Sequence, residues 1–279
     1  MTNDDIKKVV MQKYAEIAKQ DQLTNATSCC GSGPCSTEVY NIMNDDYSKL
    51  DGYVADADLS LGCGLPTQFA MIKPGNTVVD LGSGAGNDCF VARHETGESG
   101  QVIGIDFTQE MIDKAELNVN KLGFNNVTFR KGDIEDIPMT SNKADVVVSN
   151  CVLNLVPNKK KAFSEIKRIL KPGGHFSISD VVLEGELPKE LQEAAEMYAG
   201  CVSGAIQKND YLNVISECDF QEITIQKQKP IDIPDDILSA YISNEDLKKF
   251  RESGVGIYSI TVFGKKPLEN TCCSGSNCC

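Results

Sequence analysis

The sequence predicts an α/β protein with a doubly wound, mainly parallel sheet, and three observations carry that expectation. Apolar strand-like runs at 77–81, 102–106, 127–131, 144–149 and 175–180 alternate with stretches of helical periodicity. A glycine-rich segment, Gly82-Ser83-Gly84-Ala85-Gly86, follows the first run directly and opens a helical stretch, the place where such sheets bring backbone close to a ligand. Strands separated by helices imply a parallel sheet covered on both faces.

Taken in order, Ile6, Val9, Val10, Tyr14 and Ile17 recur at helical spacing, and Thr2 or Asn3 ahead of Asp4 and Asp5 supplies a cap, so a helix is expected from about residue 4 to 19. Residues 24–36 turn to Thr, Ser, Gly, Pro and Cys, including Cys29, Cys30 and Cys35, and read as a mobile loop. With the polar stretch 45–58, these make an N-terminal helix and arm over 1–56. The sheet domain occupies 57–183. Inside it Ile112, Ala115, Val119 and Leu122 form one helical stripe, and Phe163, Ile166, Ile169 and Leu170 another, which stops at Lys171-Pro172-Gly173-Gly174.

From 184 to 266 the pattern changes to an α+β part that covers the acceptor site. Helices are expected near 188–199 and 210–217, and Ile223, Ile225, Ile257, Ile260 and Val262 mark two closing strands, the final pair antiparallel. Residues 267–279 form a tail with Cys272, Cys273, Cys278 and Cys279, expected to be disordered unless something binds it.

Composition removes several classes of function. Lys plus Arg number 27 and Asp plus Glu 40, a formal charge of −13, which repels phosphate backbones and anionic lipid, so neither nucleic acid nor membrane is expected as a partner. No apolar run approaches the roughly 20 residues that span a bilayer, and Met1 to Ile6 lack the order of a signal peptide, which sets a cytoplasmic location as the expectation. No association motif is visible, and a monomer is expected.

The 12 cysteines among 279 residues are too few for a disulfide scaffold yet need a chemical reason in a reducing compartment. With two histidines and no tryptophan, imidazole metal cages and Ser-His-Asp triads are nearly excluded by inventory. His94 and His175 read as structural.

The dinucleotide fingerprint G-x-G-x-x-G needs glycine at 87, where Asn stands, so a nicotinamide cofactor fits poorly. Asp80 two residues before Gly82, then G-x-G-x-G, instead resembles motif I of class I S-adenosylmethionine methyltransferases. That resemblance lays the loop against the methionine part of the cofactor. Asp106 ends the second run where a carboxylate can accept two ribose O–H bonds. Gly132-Asp133-Ile134-Glu135 resembles the segment that reads the adenine amino group, and Thr108-Gln109-Glu110-Met111 the one whose methionine packs near adenine. The competing reading is that Asp106 and Asp133 only cap helices or solvate loops, and that Met111 is an ordinary core residue. The implied cofactor residues are Asp80, Gly82, Ser83, Gly84, Gly86, Asp106, Met111, Asp133, Ile134 and Asn150.

Three cysteines sit where an acceptor is expected: Cys63 in Gly62-Cys63-Gly64, Cys151 in Ser149-Asn150-Cys151-Val152 after the fourth run, and Cys201 in Gly200-Cys201-Val202 with Gly204-Ala205. Together these resemble the cysteine motifs of the arsenite S-adenosylmethionine methyltransferases, over about residues 29 to 228. The resemblance implies that Cys63, Cys151 and Cys201 bind trivalent arsenic and that Cys29 or Cys30, between which the sequence does not choose, joins a disulfide. The function implied is arsenic detoxification by methylation. Thiolates suit a soft, thiophilic centre, and the arsenic lone pair is itself a nucleophile, so no proton need be removed and no histidine base is required.

Methylation formally oxidises arsenic by two electrons. A dithiol can return them by closing a disulfide, most simply Cys63 with Cys29 or Cys30, which thioredoxin or glutathione as thiol reductant reopens. Cys89 and Cys218 read as small buried hydrophobes. Cys35 is open, and the tail cysteines capture arsenite, serve as a redox spare or are dispensable. Tyr40 and Tyr47 either close over the sulfonium or sit in the core. Two rivals remain: a methyltransferase for an organic small-molecule acceptor, and a metalloid sponge or sensor without catalysis.

Overall fold

Each of the five apolar runs forms a strand in the computed structural model, which describes residues 2–19, 43, 45–193 and 204–268. They are β1 (Thr77–Leu81), β2 (Gln101–Asp106), β3 (Val127–Lys131), β4 (Ala144–Asn150) and β5 (Leu170–Glu184), and the closing strands are β6 (Gln221–Pro230) and β7 (Gly256–Lys265). The sheet order is β3-β2-β1-β4-β5-β7-β6. β1 to β5 pair in parallel, while β7 runs antiparallel to both β5 and β6, as the sequence predicts. The chain leaves β1 toward β2 on one side and returns to β4 on the other, so the order reverses between β1 and β4. A crevice opens at their carboxyl ends, where doubly wound sheets bind ligands.

Side chains alternate across the sheet. Val78, Val146 and Val148 face a layer that includes Phe90 and Met111, whereas Val79, Leu81 and Val147 face Phe163, Ile166 and Tyr211. The first layer holds α1 (Asn3–Ala18), α3 (Asn87–Thr96) and α4 (Gln109–Leu122), and the second holds α5 (Lys159–Ile169) and α7 (Lys208–Glu217). Shorter helices are α2 (Pro66–Phe69), α6 (Lys189–Glu193), α8 (Asp235–Leu238) and α9 (Asn244–Glu252). No helix among the described residues is long and apolar enough to cross a membrane.

The helix expected from about residue 4 begins behind a capping box. The Thr2 side chain accepts from the Asp5 N–H at 3.2 Å and the Asp5 carboxylate accepts from the Thr2 N–H at 2.9 Å. α5 stops at Ile169 as expected, but the Lys171-Pro172-Gly173-Gly174 stretch is an extended arm of β5 and not a simple turn. Leu170 pairs with Ala144 and, after a register shift, His175 with Val146. β5 is longer than its apolar run because β7 pairs with it from His175 to Glu184. The division expected between 183 and 184 therefore falls within β5, and the closing strands extend the same sheet. The loop expected at 24–36, the second half of the helix expected at 188–199 and the cysteine tail lie outside the described residues.

Candidate functional site

β1 runs straight into the glycine loop, whose Gly82 has φ +72° and packs so closely on Val152, after β4, that a side chain there would strike it. The amides of Gly82 and Ser83 donate to Ile105 O at 2.7 and 3.1 Å, which ties the loop to β2. Below it lies a cavity with about 720 Å³ of empty volume, lined among others by Asp80, Gly82, Ser83, Gly84, Asp106, Met111 and Asn150. An adjoining cavity of about 460 Å³ shares Gly82 and Asp106 and is lined by Gly132, Asp133, Ile134 and, from α1, Lys7 and Val10. Tyr14 of α1 lines the first cavity, so this helix roofs the cleft. Gly86, the cap of α3, lies outside the lining and sets the entry of that helix.

The acids do local work as well. Asp106 accepts the amides of Gly84 at 3.0 Å and Thr108 at 2.8 Å, one on each oxygen. Asp133 accepts the Glu135 amide at 2.8 Å and the Lys7 ammonium at 2.6 Å. Asp106 thus braces the turn ahead of α4 and Asp133 the tight turn after β3, and each carboxylate lines the cleft with lone pairs to spare.

Asp58, Asp80, Asp88 and Asp106 are all buried around the first cavity. Burial and then the neighbouring Asp88 charge push Asp80 well above the usual carboxylate range. Burial raises Asp88 to about 6, against hydrogen bonds that pull it down, and raises Asp106. A ligand carrying positive charge relieves this crowding, and S-adenosylmethionine carries both a sulfonium and an ammonium. Ser83 Oγ and Asn87 Oδ1 are buried and lack a partner among the described residues, so the cleft offers polar groups for a ligand to meet. The residues present thus fit this cofactor. Asp88 escaped the sequence reading, although an acid in the first turn of the helix after the glycine loop is a usable signal.

Of the three candidate cysteines, Cys151 lines the first cavity and Cys63 directly follows Gly62, which lines it too. Cys63 and Cys151 are buried, at 0% and 1% exposure, and Asn150 joins their segments. Its Oδ1 accepts the amides of Cys63 at 3.0 Å and Gly64 at 3.3 Å, and its Nδ2 donates to Gly64 O at 2.8 Å and to the Tyr47 hydroxyl. A side chain at position 62 would come within 2.5 Å of Asn150 Nδ2, which is why glycine stands there. Ser259 of β7 donates to Cys63 O. Cys151 donates its amide to Ser179 O at 2.7 Å and has φ +59°, a left-handed conformation that costs a non-glycine residue energy and is retained mostly at working sites.

Beneath them Tyr211 donates to Asp180 at 3.0 Å, both fully buried. Burial, the Asp180 charge and, more weakly, the Cys63 and Cys151 thiols push the Tyr211 hydroxyl well up, which puts both cysteines within electrostatic reach of it. Burial raises Asp180 to about 7, opposed by Lys159. Lys159 Nζ bonds Asn154 O, Val156 O and Gly204 O at 3.2, 3.3 and 3.2 Å, tying the segment after Cys151 to the chain just past Cys201.

Cys201, Cys29, Cys30, Cys35 and Tyr40 lie outside the described residues. Among those described, no three His, Cys, Asp or Glu side chains group as metal ligands. Cys89 is buried as expected, but it is more than a hydrophobe, since its thiol donates to Asp80 at 3.3 Å. Cys218 is a buried thiol beside Lys160 O. Tyr47 is buried beside Leu65 and Val91 and also lines the first cavity. His175 bonds Ala70 O at 2.6 Å and is a structural residue whose pKa burial lowers.

A family model described as a methyltransferase domain matches residues 72–222. Arsenite methyltransferase of Halobacterium salinarum is 39% identical over 96% of this chain and 68% of its own length. The enzymes so named from Aquipseudomonas alcaligenes and Mus musculus are 31% and 33% identical, and the chain spans 66% and 58% of their lengths. Among solved structures, the arsenic(III) S-adenosylmethionine methyltransferase of Chlamydomonas reinhardtii superposes with a TM-score of 0.63 at 28% identity, covering 86% of this chain and 76% of that one. The phosphoethanolamine N-methyltransferase 2 of Haemonchus contortus, solved with S-adenosyl-L-methionine, shares the fold at a TM-score of 0.57, 19% identity and coverage of 74% of this chain and 54% of that one. The family model over residues 72–222 and the Halobacterium relative, together with the glycine loop and the acid-lined cleft, show that the chain is an S-adenosylmethionine-dependent methyltransferase and belongs to the arsenite methyltransferase family.

Proposed function

We propose that this protein methylates trivalent arsenic held by the thiolates of Cys63, Cys151 and Cys201, in service of arsenic detoxification. One observation carries the reading: Asn150 fastens the loop of buried Cys63 to the end of β4, beside buried Cys151, which lines the cofactor cleft. Gly204, held by Lys159, is three residues past Cys201, and three residues of chain reach at most about 10 Å, which favours Cys201 as the third ligand.

Asp80, Asp106, Asp133 and the loop residues Gly82, Ser83 and Gly84 hold the cofactor, with Met111, Ile134 and Asn150 walling the cleft. Bound S-adenosylmethionine supplies an electrophilic methyl group. The chain's own part is to orient the arsenic through its thiolates, to keep water off the thiols by burial, and to offer a cation a carboxylate-lined wall. The lone pair of arsenic serves as nucleophile, which agrees with the cleft being lined by no histidine among the described residues. Cys29 or Cys30 closes a disulfide with Cys63 to return two electrons to arsenic, and thioredoxin or glutathione reopens it in the cytoplasm. The protein acts as a monomer.

The test is one incubation of purified protein with S-adenosylmethionine, a thiol reductant and arsenite, the arsenic species being separated and counted by mass spectrometry. Methylated arsenic is the expected product. Bound cofactor with arsenite left unmethylated would overturn the reading in favour of an organic acceptor.

A further inference from the structure

Asn150 has no spare hydrogen-bonding capacity on either end of its amide, and the groups that orient it belong to the cofactor side of the molecule. Its Nδ2 donates to the Tyr47 hydroxyl and reaches Asp88 Oδ2 at 3.4 Å. The Tyr47 hydroxyl in turn donates to Asp88 Oδ2 at 2.8 Å and lies 3.2 Å from Gly64 O. Thr67 fixes the other carboxylate oxygen of Asp88 at 3.3 Å. Tyr47, Asp88 and Asn150 all line the larger cavity, beside Asp80 and the glycine loop. The same three groups therefore line the cofactor cavity on one side and, through Asn150, hold the Cys63 loop on the other.

An amide can be turned end for end, and only one orientation presents its oxygen to the Cys63 and Gly64 N–H groups. An ionised Asp88 selects that orientation, because it accepts hydrogen bonds and repels the amide oxygen. A cation in the cavity holds Asp88 ionised, and burial alone works the other way.

We propose that Tyr47 and Asp88 are positioning residues that set the Cys63 loop through Asn150, so that a cationic ligand in the cofactor cavity and arsenite on the cysteines tighten each other's binding. This rests on the reading of Cys63 as an arsenic ligand. Coupling between two sites is reciprocal, and here the shared element is the orientation of one amide. Neither residue touches the arsenic. Tyr47 transmits through its hydroxyl alone, whereas Asp88 also contributes charge to the cofactor cavity.

The experiment follows arsenite protection of Cys63 against iodoacetamide, mapped by mass spectrometry on the full chain, with and without saturating sinefungin, a cationic analogue that transfers no methyl group. In the unsubstituted protein the arsenite concentration for half-protection is expected to fall by at least about fivefold when sinefungin is present. In Tyr47→Phe that enhancement is expected to vanish while sinefungin affinity, by calorimetry, changes less than about twofold. Asp88→Asn, nearly isosteric, should lose the enhancement too, and it decides the matter if Tyr47→Phe fails to fold by circular dichroism. An enhancement retained in the variants, or none in the unsubstituted protein, overturns the proposal. So does loss of sinefungin binding in Tyr47→Phe, which would make Tyr47 a cofactor-binding residue. Absence of any arsenite protection at Cys63 would instead overturn the ligand reading beneath it.

Discussion

The side-chain oxygen of Asn150 accepts the backbone N–H of Cys63 at 3.0 Å across 87 residues of sequence. The residue next to Cys151 thus determines where Cys63 stands. Replacing Asn150 with Ala removes the side-chain acceptor of two backbone N–H groups of the Cys63 loop, each costing about 1–3 kcal/mol when left buried and unpaired, while Gly64 O keeps the Tyr47 hydroxyl. Asn150→Ala is expected to lower the melting temperature and to raise KM for arsenite about tenfold or more. Thermal unfolding and steady-state kinetics check it, and unchanged kinetics would show that the loop holds itself.

Cys151→Ser and Cys201→Ser are each expected to abolish methylation of both arsenite and methylarsenite, because a serine oxygen is a hard donor that binds trivalent arsenic weakly. Loss of Cys29 and Cys30 together should spare the later, methylated substrate. Product analysis by chromatography with each arsenical separates these cases, and full activity of either single variant on arsenite would remove that residue from the ligand set.

Cofactor affinity is expected to depend on pH with a defined sign. Asp88 is raised to about 6 and Asp80 and Asp106 are raised as well, so the empty cleft carries protons that a cationic ligand must displace. Affinity for S-adenosylmethionine should therefore increase as pH rises through about 6, with proton release on binding. The neutral-sulfur product S-adenosylhomocysteine should show a shallower slope. Calorimetry in buffers of different ionisation heat measures both, and a flat profile that Asp88→Asn leaves unaltered would count against Asp88.

Stability should run the opposite way. Asp180 titrates near 7 in the folded chain against a reference value of 3.8, with burial as the main cause. A raised carboxyl pKa means that the folded state binds the extra proton. Its contribution is complete below the unfolded pKa and is lost as pH rises toward 7, at up to about 1.4 kcal/mol per pH unit. Asp180→Asn should flatten the dependence of chemical denaturation on pH between these limits, while the parent protein loses stability across them.

Lys7 latches the roof helix by pairing with Asp133 at 2.6 Å and Glu135 at 3.0 Å. The Lys7 and Asp133 side chains are 29% and 44% exposed, so solvent screens the pair to about 1 kcal/mol or less. Lys7→Ala is accordingly expected to speed cofactor dissociation by only a few-fold, about fivefold at most. Stopped-flow displacement reads this directly, and a slower release would mean that the latch hinders the cofactor.

The local chemistry of the chain was legible without coordinates. β1 and β3 occupy the residues that the apolar runs mark, the glycine loop and Asp106 are visible in their order along the chain, and the cysteine motifs are visible through their resemblance to a family. These are properties of contiguous segments, set by periodicity, backbone freedom and side-chain type. Asp88 is the exception, because a single acid near a helix start usually has no further meaning.

What folding alone decided lies in partnerships between distant segments. Nothing near position 150 indicates that its amide will clasp the loop of Cys63, nothing near 7 that its ammonium will reach Asp133, and nothing in residues 170–174 that they will extend a strand. The sequence by itself determined which residues can do chemistry and in what order the strands and helices follow. Only the tertiary structure decided which of those residues meet, because a hydrogen bond across 87 residues leaves no periodic trace in the chain that makes it.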